Sequence, residues 1–343
     1  MRAAVGVTPD RPILIDRFLH HAMECEADAI CDGTHAFVPA VMEHIELAGV
    51  HSGDSACILP SLNISEENVK TIKEYTKKIA EEMHVCGLMN MQYAIEDGKV
   101  FVLEANPRAS RTVPLVSKVC NIQMVQLATQ VITEELTGIP SPVPSLKESK
   151  FHHYGVKEAV FPFNMFQEVD PILAPEMRST GEVLGLAANF GEAFYKAQEA
   201  TQTPLPLSGT VLISVSDRDK EELLQVARGF YQDGFHIMAT GKTYDMITED
   251  GIPAEKIKKL SEGRPNILDA IANKKIDLIV NTPSGNESRF DDSYVRKAAI
   301  KGKIPYMTTM AAAIATAEGI RQVNAKGGKL DVKSLQELHA EIE

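Results

Sequence analysis

The chain has 343 residues, of which 44% are hydrophobic and 24% are charged, and its formal net charge is −12. This composition is typical of a globular protein with room for two or three domains, and the negative charge disfavours a general binder of nucleic acids or membrane surfaces. The longest apolar run near the C-terminus, residues 310–317, is too short to span a bilayer. Five scattered cysteines form no C-x-x-C pair and we find no export signal, so we expect reduced thiols and a cytoplasmic protein.

The first part of the chain alternates strand-like and helix-like stretches. Ser65 is placed to begin an amphipathic helix, because its hydroxyl can cap the first turn. Residues 87–106 are predicted to form a hairpin that turns at Asp97-Gly98, a pair that favours a tight turn. We therefore expect a first domain at residues 1–138 with this hairpin as a central feature.

The second part begins with residues rich in proline and serine, which predict a linking loop at 139–150. Residues 151–200 look less regular apart from a helix near their end. From Thr210 onward, strand-like and helix-like stretches alternate, which indicates βαβ units and a parallel sheet. We expect a connecting subdomain and linker at residues 139–204 and a doubly wound α/β domain at residues 205–343.

The register of the hairpin can be predicted from its apolar alternation. If the alternating apolar residues of both strands face the same core, Tyr93 lies opposite Leu103 and Ile95 lies opposite Phe101. That pairing needs a turn of odd length with a bulge, which Gly98 would allow.

The same register predicts a polar patch on the other face of the hairpin. Gln92 would lie opposite Glu104, with Asn106 two residues further along. Oxygen ligands of this kind suit Mg²⁺, which usually shares its coordination with phosphates, and Arg108 and Arg111 could then reach phosphate oxygens. The alternative is an ordinary half-exposed hairpin with a polar outer face.

A second candidate site is predicted where the strands of the parallel sheet end, since open α/β sheets bind ligands at that edge. Hydroxyls, amides and lysines before helix N-termini suit a phosphate monoester, and ordinary helix capping is the alternative. A Walker motif is excluded because His236 stands where its first glycine would be. The side chains at these strand ends are Lys220, Thr240, Lys242, Thr243, Asn281, Thr282 and Ser284.

Four stretches of the sequence closely resemble the C-terminal half of the large subunit of carbamoyl-phosphate synthetase: MEHIELAGVHSGDSACILP, GLMNMQYAI, VFVLEANPRASRTVPLVSK and APEMRSTGEV. The resemblance runs over essentially the whole chain. It implies a partial ATP-grasp domain, an antiparallel sheet with helices, followed by a parallel-sheet methylglyoxal-synthase-like domain. The implied activity is phosphorylation of carbamate in arginine and pyrimidine biosynthesis, with ATP and Mg²⁺ or Mn²⁺ as cofactors and K⁺ as a further candidate.

The resemblance also implies roles for individual residues of the first domain. Gln92, Glu104 and Asn106 would be the Mg²⁺ ligands, and Arg108 and Arg111 would stabilise charge on the phosphoryl group and the acyl substrate. The nucleotide would be held by a further set: Leu19 beside the adenine, Glu24 at the ribose, and the loop residues Gly49, Val50, His51 and Ser52. Taken alone, His51 could equally be a loop-capping histidine and Glu24 a solvated hairpin residue.

For regulation, the resemblance implies two effector sites. A nucleotide monophosphate such as UMP or IMP would bind Ser214, Lys220, Thr240, Thr243, Lys259, Asn281 and Thr282. The activator ornithine would contact Glu46, Asp54, Glu158, Tyr306 and Thr308. Pro283-Ser284 stand where true methylglyoxal synthases carry a catalytic aspartate, so this domain is interpreted as a sensor. Members of the family usually show T-x-G-T in this segment, whereas this sequence has Thr240-Gly241-Lys242-Thr243. The difference leaves the choice of effector open.

The first lobe of an ATP-grasp domain supplies a glycine-rich loop and basic residues that cover the phosphates. We find no such loop upstream of RPILIDRFL, and Arg2 and Arg11 do not occur in the sequence context of those basic residues. We therefore expect a fragment or one piece of a split subunit, which alone would not make carbamoyl phosphate. Its expected partners are the N-terminal part of the large subunit and the glutamine amidotransferase small subunit, in an oligomeric enzyme. Alternatives are another ATP-grasp ligase, such as a biotin carboxylase, and a non-catalytic nucleotide-sensing partner.

Overall fold

The computed structural model describes residues 17, 19, 22–166, 169, 171–201, 203–282 and 289–342. These residues form an antiparallel sheet of eight strands and a parallel sheet of five. The first sheet comprises β1 (Met23–Asp32), β2 (Ala36–Phe37), β3 (Val41–Leu47), β4 (Cys57–Leu59), β5 (Cys86–Glu96), β6 (Lys99–Asn106), β7 (Tyr154–Val160) and β8 (Gly181–Ala187). The second comprises β9 (Thr210–Ser214), β10 (His236–Thr240), β11 (Glu255–Ile257), β12 (Leu278–Asn281) and β13 (Tyr306–Met307).

Helices cover both sheets. Those of the first part are α1 (Glu66–Glu82), α2 (Val113–Val119), α3 (Met124–Ile132), α4 (Glu134–Thr137) and α5 (Phe190–Ala200). Those of the second part are α6 (Lys220–Gln232), α7 (Gly241–Glu249), α8 (Ile267–Ala272), α9 (Arg289–Gly302), α10 (Met310–Ala325) and α11 (Leu335–Ala340). Among the described residues, no helix is both long enough and apolar enough to cross a membrane.

The first sheet runs in the order β6-β5-β1-β3-β4-β7-β8, with β2 paired to β1. Ser65 caps α1 as predicted, since its side chain accepts a hydrogen bond from the backbone N–H of Asn68. One face packs Cys25 and Ala27 of β1 against α1. The other face is apolar at Ile30, where α2 and α3 cover it, and becomes polar toward the start of β1. That polar part is where the predicted site residues lie.

The hairpin register was predicted correctly only near its open end. Gln92 does lie opposite Glu104, but Tyr93 pairs with Val102 rather than with Leu103, and Ile95 pairs with Val100 rather than with Phe101. The bulge sits in β6 at Leu103 and not in the turn, which is a tight two-residue turn. Apolar alternation placed it wrongly because Val102 and Leu103 are both about half exposed (45% and 47%) and neither marks the buried face.

Residues 139–204, predicted as a connecting subdomain, contribute two strands to the first sheet. β7 and β8 form an antiparallel pair at its edge, and β7 joins β4. The sequence does not predict β7, because Lys157 and Glu158 interrupt its apolar pattern. In the structure, both side chains are nevertheless buried, at only 2% and 8% exposure. Buried charges of this kind need partners: Lys157 donates to the carbonyl oxygen of Ser52, and Glu158 accepts from Gln198.

The parallel sheet has the predicted βαβ form, in the order β11-β10-β9-β12-β13. It is not held to the first sheet by a flexible linker alone. Ile58 and Val156 of the first sheet belong to the same hydrophobic core as Val211 and Ile213 of the second. Helix α5 lies between the sheets and packs on both β8 and α10. The contact with β8 is so close that a Cβ atom on Gly185 would lie 2.0 Å from the carbonyl oxygen of Ala193.

Candidate active site

The predicted metal ligands come together at the open end of the hairpin. The side-chain amide of Asn106 donates to Glu104 Oε1 (2.7 Å), and that of Gln92 donates to Ser52 Oγ (3.0 Å). These bonds use the nitrogen atoms and leave Gln92 Oε1, Glu104 Oε2 and Asn106 Oδ1 without a partner among the described residues. Three uncommitted oxygens fit a hard cation such as Mg²⁺. The described part contains no group of three His, Cys, Asp or Glu side chains that could hold a metal ion.

Beside this patch lies a buried acidic row that the sequence interpretation used only in part. Glu26 and Asp28 follow Glu24 on the same face of β1, and both are almost fully buried. Asn90 donates to Glu26 Oε2 (3.1 Å) and to Asp28 Oδ1 (3.0 Å), and the hydroxyl of Thr112 lies 2.7 Å from Asp28 Oδ2. Acids in alternate positions of "ECEAD" were a signal for such a row.

The ionisation of this row is set by its surroundings. Burial raises the pKa of Asp28 to about 6, and the charge of Glu26 adds to the effect. Burial also acts against ionisation of Glu26, but His44, whose Nε2 lies 3.5 Å from Glu26 Oε1, outweighs it and holds the pKa of Glu26 at about 2. On its other side, Nδ1 of His44 lies 3.8 Å from Glu24 Oε1. Glu24, predicted to bind the ribose, thus belongs to a buried charged cluster rather than to a solvated hairpin.

The predicted nucleotide loop follows β3. Gly49 has a φ of 114°, which favours glycine at that position, and His51 Nδ1 accepts from the backbone N–H of Gly53 (3.0 Å). His51 therefore caps the loop, which was the alternative to a nucleotide-binding role, and this bond uses only one of its two ring nitrogens. Buried Lys157 supports the same loop, because its Nζ donates to the carbonyl oxygen of Ser52 (3.3 Å). Leu19 is half-buried.

The two predicted catalytic arginines have different settings. Arg108 is exposed, and its Nη1 donates to the carbonyl oxygen of Ala109 (3.0 Å). Arg111 is half-buried and donates to Ser179 Oγ (2.6 Å). Arg111 is thus held in place, whereas Arg108 lies at the surface.

A cavity of about 290 Å³ lies between the two sheets. All five residues predicted for ornithine line it: Glu46, Asp54, Glu158, Tyr306 and Thr308. Burial raises the pKa of Glu158 to about 8, and the neighbouring charge of Glu46 adds to the effect. Gln198 of α5 donates to Glu158 Oε2 (2.7 Å). The cavity combines three carboxyl groups and Lys303 with apolar walls, and a cationic ligand there would favour the ionised form of the carboxyl groups.

The predicted nucleotide-effector residues lie at one edge of the second sheet, because all of its strands are parallel and end there. Ser214 Oγ lies 2.8 Å from Thr240 Oγ1. Thr243 Oγ1 and Thr282 Oγ1 accept from the backbone N–H groups of residues 215 (3.4 Å) and 216 (2.9 Å). Lys259 follows β11 at the same edge. These hydroxyls hold the backbone after β9 in place beside the lysines.

Three side chains of this edge already have partners within the protein. Lys220 and Lys242 both contact the carboxylate of Asp217. The amide of Asn281 is used on both sides, since Oδ1 accepts from the fully buried Arg296 (3.0 Å) and Nδ2 donates to the carbonyl oxygen of Ser214 (3.3 Å). Asn281 therefore has a structural role here. Ser284 and Pro283 lie outside the described residues.

An antiparallel sheet covered by helices and joined to a parallel-sheet domain defines a class of ATP-grasp protein, and two family models agree with it. Residues 1–137 match the family described as "Carbamoyl-phosphate synthase L chain, ATP binding domain". Residues 222–308 match the family described as "MGS-like domain".

Curated relatives cover the whole chain. It is 50% identical over 340 residues to "Carbamoyl phosphate synthase large chain" of Archaeoglobus fulgidus, which covers 98% of this chain and 31% of that protein. It is 44% identical to the protein of the same name from Methanosarcina barkeri, covering 100% of this chain and 85% of that one. A "C-terminal section" of the large chain from Methanocaldococcus jannaschii is 46% identical, with 100% of this chain and 56% of that protein covered. The chain belongs to the carbamoyl phosphate synthase large chain family, and it spans about a third of the length of the full-length relatives.

Proposed function

We propose that this chain provides the metal-binding wall of an ATP site that phosphorylates carbamate to carbamoyl phosphate. The observation that carries the proposal is the oxygen patch of Gln92, Glu104 and Asn106 beside Ser52 of the nucleotide loop. Such oxygens hold Mg²⁺ or Mn²⁺ best when phosphate oxygens complete the coordination. The name of the relatives, carbamoyl phosphate synthase large chain, supports carbamoyl phosphate as the product. Carbamate as the acceptor and a role in arginine and pyrimidine biosynthesis are part of the proposal.

In the proposed reaction a carbamate oxygen attacks the γ-phosphorus of ATP, the bond to the bridging β-phosphate oxygen breaks, and ADP leaves. This transfer depends on in-line positioning and on neutralisation of negative charge. Mg²⁺, when bound, supplies part of that neutralisation. Arg108 and Arg111 contribute the rest from the strand end, where paired N–H groups can hold phosphoryl oxygens. Glu24 binds the ribose, Leu19 lies beside the adenine, and the loop of residues 49–52 lies near both.

The proposal requires partners. The chain corresponds to about a third of the full-length relatives, so the complete reaction is assigned to an assembly. Its other members are the N-terminal part of the large chain and a glutamine amidotransferase small subunit that supplies ammonia. We expect that the isolated chain does not form carbamoyl phosphate, and that K⁺ is a further candidate cation. Four of its five free cysteines are buried, which is consistent with a reducing, cytoplasmic setting.

Two effector sites complete the proposal. The strand-end edge with Lys220, Thr240 and Thr243 would bind the phosphate of a nucleotide monophosphate such as UMP or IMP. The cavity with Glu46 and Glu158 would bind the ammonium groups of ornithine. Both lie on elements that share a core with the first sheet, so a ligand at either can bias the packing that supports the ATP site.

The test uses the assembled enzyme and the reverse reaction, in which ADP and carbamoyl phosphate give ATP. Glu104→Gln should lower the rate at least about 100-fold, because it removes the one charge of the patch. Glu96→Gln is the matched control: it makes the same change on the same hairpin at an acid that pairs with Arg17, and it should leave the rate within about 2-fold.

Other outcomes would favour the alternatives. A wild-type assembly that forms no ATP, while the chain binds UMP by calorimetry, would indicate a nucleotide-sensing partner without catalysis. A rate that depends on added biotin would indicate another ATP-grasp ligase. ATP formation by the isolated chain would show that the assembly is not required.

A further inference from the structure

Arg111 is held by a serine rather than by an acid. Its Nη1 donates to Ser179 Oγ (2.6 Å), and its Nη2 lies 3.4 Å from the carbonyl oxygen of the same residue. A hydrogen-bonded carboxylate would neutralise the guanidinium, whereas a hydroxyl and a carbonyl group fix its orientation without forming an ion pair. Burial raises the pKa of the Glu182 carboxyl and the charge of Arg111 acts against that larger effect, but Glu182 is not a hydrogen-bond partner of Arg111. This is the arrangement needed by an arginine that must meet a phosphoryl group.

Ser179 is itself fixed by the loop that follows the predicted nucleotide residues. Its hydroxyl donates to the carbonyl oxygen of Gly53 (3.3 Å), so that an oxygen lone pair can face Arg111. The backbone N–H groups of Ser179 and Arg178 donate to the carboxylate of Asp54 (3.0 and 2.8 Å). Asp54 and Ser179 are only 1% and 5% exposed. Ser179 therefore has little freedom to move, and its position follows that of the loop.

Building on the proposed function, we propose that Ser179 is a positioning residue for phosphoryl transfer: its hydroxyl fixes the guanidinium of Arg111 and ties it to the nucleotide loop. The loop residues Gly49–Ser52 lie immediately before Gly53 and Asp54 in the chain. A nucleotide that orders this loop would therefore also order the arginine that acts on its terminal phosphate.

The experiment measures ATP formation from ADP and carbamoyl phosphate in the assembled enzyme. Ser179→Ala keeps the backbone N–H bound to Asp54 and removes only the hydroxyl. We expect kcat to fall about 10-fold, with the KM for ADP within about 2-fold, because a misplaced charged group costs rate rather than nucleotide affinity. Ser179→Thr keeps the hydroxyl and should restore most of the rate. Thr180→Ala removes the neighbouring exposed hydroxyl and is the matched control.

A double variant separates positioning from a structural role. Because Ser179 acts through Arg111, adding Ser179→Ala to Arg111→Ala should lower kcat no further. An equal additional loss in that background, or a Ser179→Ala enzyme that behaves like Thr180→Ala, would overturn the inference. If Ser179→Ala does not fold, Ser179→Cys, of similar volume but with a poor hydrogen-bond acceptor, carries the same expectation. A wild-type assembly without activity would count against the proposed function, whereas an active wild type with an unaffected Ser179→Ala would count against this inference alone.

Discussion

The side-chain amide of Gln92 donates a 3.0 Å hydrogen bond to the hydroxyl of Ser52 and thereby joins the metal-site hairpin to the nucleotide loop. If both groups serve one ligand, Gln92→Ala and Ser52→Ala should each weaken binding of Mg²⁺-ADP by the assembled enzyme. Their effects should be coupled by about 0.5–1.5 kcal/mol in a double-mutant cycle, the usual contribution of one hydrogen bond. Ser141→Ala removes a hydroxyl bound to Asp32 at the far end of β1 and should be additive with Gln92→Ala. Additive effects of Ser52→Ala would contradict the prediction.

At the effector edge, Asp217 forms ion pairs with the lysines that would otherwise bind a phosphate. Its carboxylate contacts both Lys220 and Lys242. Asp217→Asn should therefore strengthen binding of UMP or IMP to the chain, by roughly 3- to 10-fold at low salt, because it removes a competing negative charge. Isothermal titration calorimetry measures this directly. Asp250→Asn, whose acid pairs with Arg228, is the control of equal charge change. Weaker binding by Asp217→Asn would indicate that Asp217 contacts the ligand itself.

The packing between β8 and α5, at the junction of the two sheets, requires a glycine at position 185. A Cβ atom on Gly185 would lie 2.0 Å from the carbonyl oxygen of Ala193 and 2.6 Å from the nitrogen of Ala197, and neither backbone atom can move aside. Gly185→Ala should reduce the free energy of unfolding by roughly 3–5 kcal/mol. Gly181→Ala, in the same strand, brings its Cβ no closer than 3.8 Å to Val160 and should change it by less than about 1 kcal/mol. Urea denaturation compares the two, and equal stabilities would show that α5 can shift.

The cavity carboxyl of Glu158 predicts a pH dependence of stability. Burial and Glu46 raise its pKa from 4.5 to about 8, so the folded protein keeps a proton that the unfolded chain loses. The free energy of unfolding should therefore fall as pH rises from about 4.5 to about 8. Glu158→Gln should flatten this fall by roughly 1–3 kcal/mol between pH 5 and pH 8, measured by urea denaturation. The exposed Glu199→Gln on α5 should leave the slope unchanged, and an unchanged slope in Glu158→Gln would refute the assignment.

Several elements were predictable because their signals are local. The cap of α1 at Ser65 and the tight turn at Asp97-Gly98 need only their own neighbours. The pairing of Gln92 with Glu104 was also predicted correctly, since the apolar pattern is clear on that side of the bulge. The position of the bulge was not, because Val102 and Leu103 face solvent alike and carry no sign of which face is buried.

The sequence by itself determined the family, the parallel form of the second sheet and the identity of the oxygen-bearing residues of the hairpin. Only the tertiary structure decided that Lys157 and Glu158 lie in a buried strand, that Glu26, Asp28 and His44 form one cluster, and that Ser179 holds Arg111. The physical reason is separation along the chain. A capping bond or a turn joins neighbours, whereas Arg111 and Ser179 are brought within 2.6 Å by packing of the whole sheet. No periodicity in the sequence records that contact.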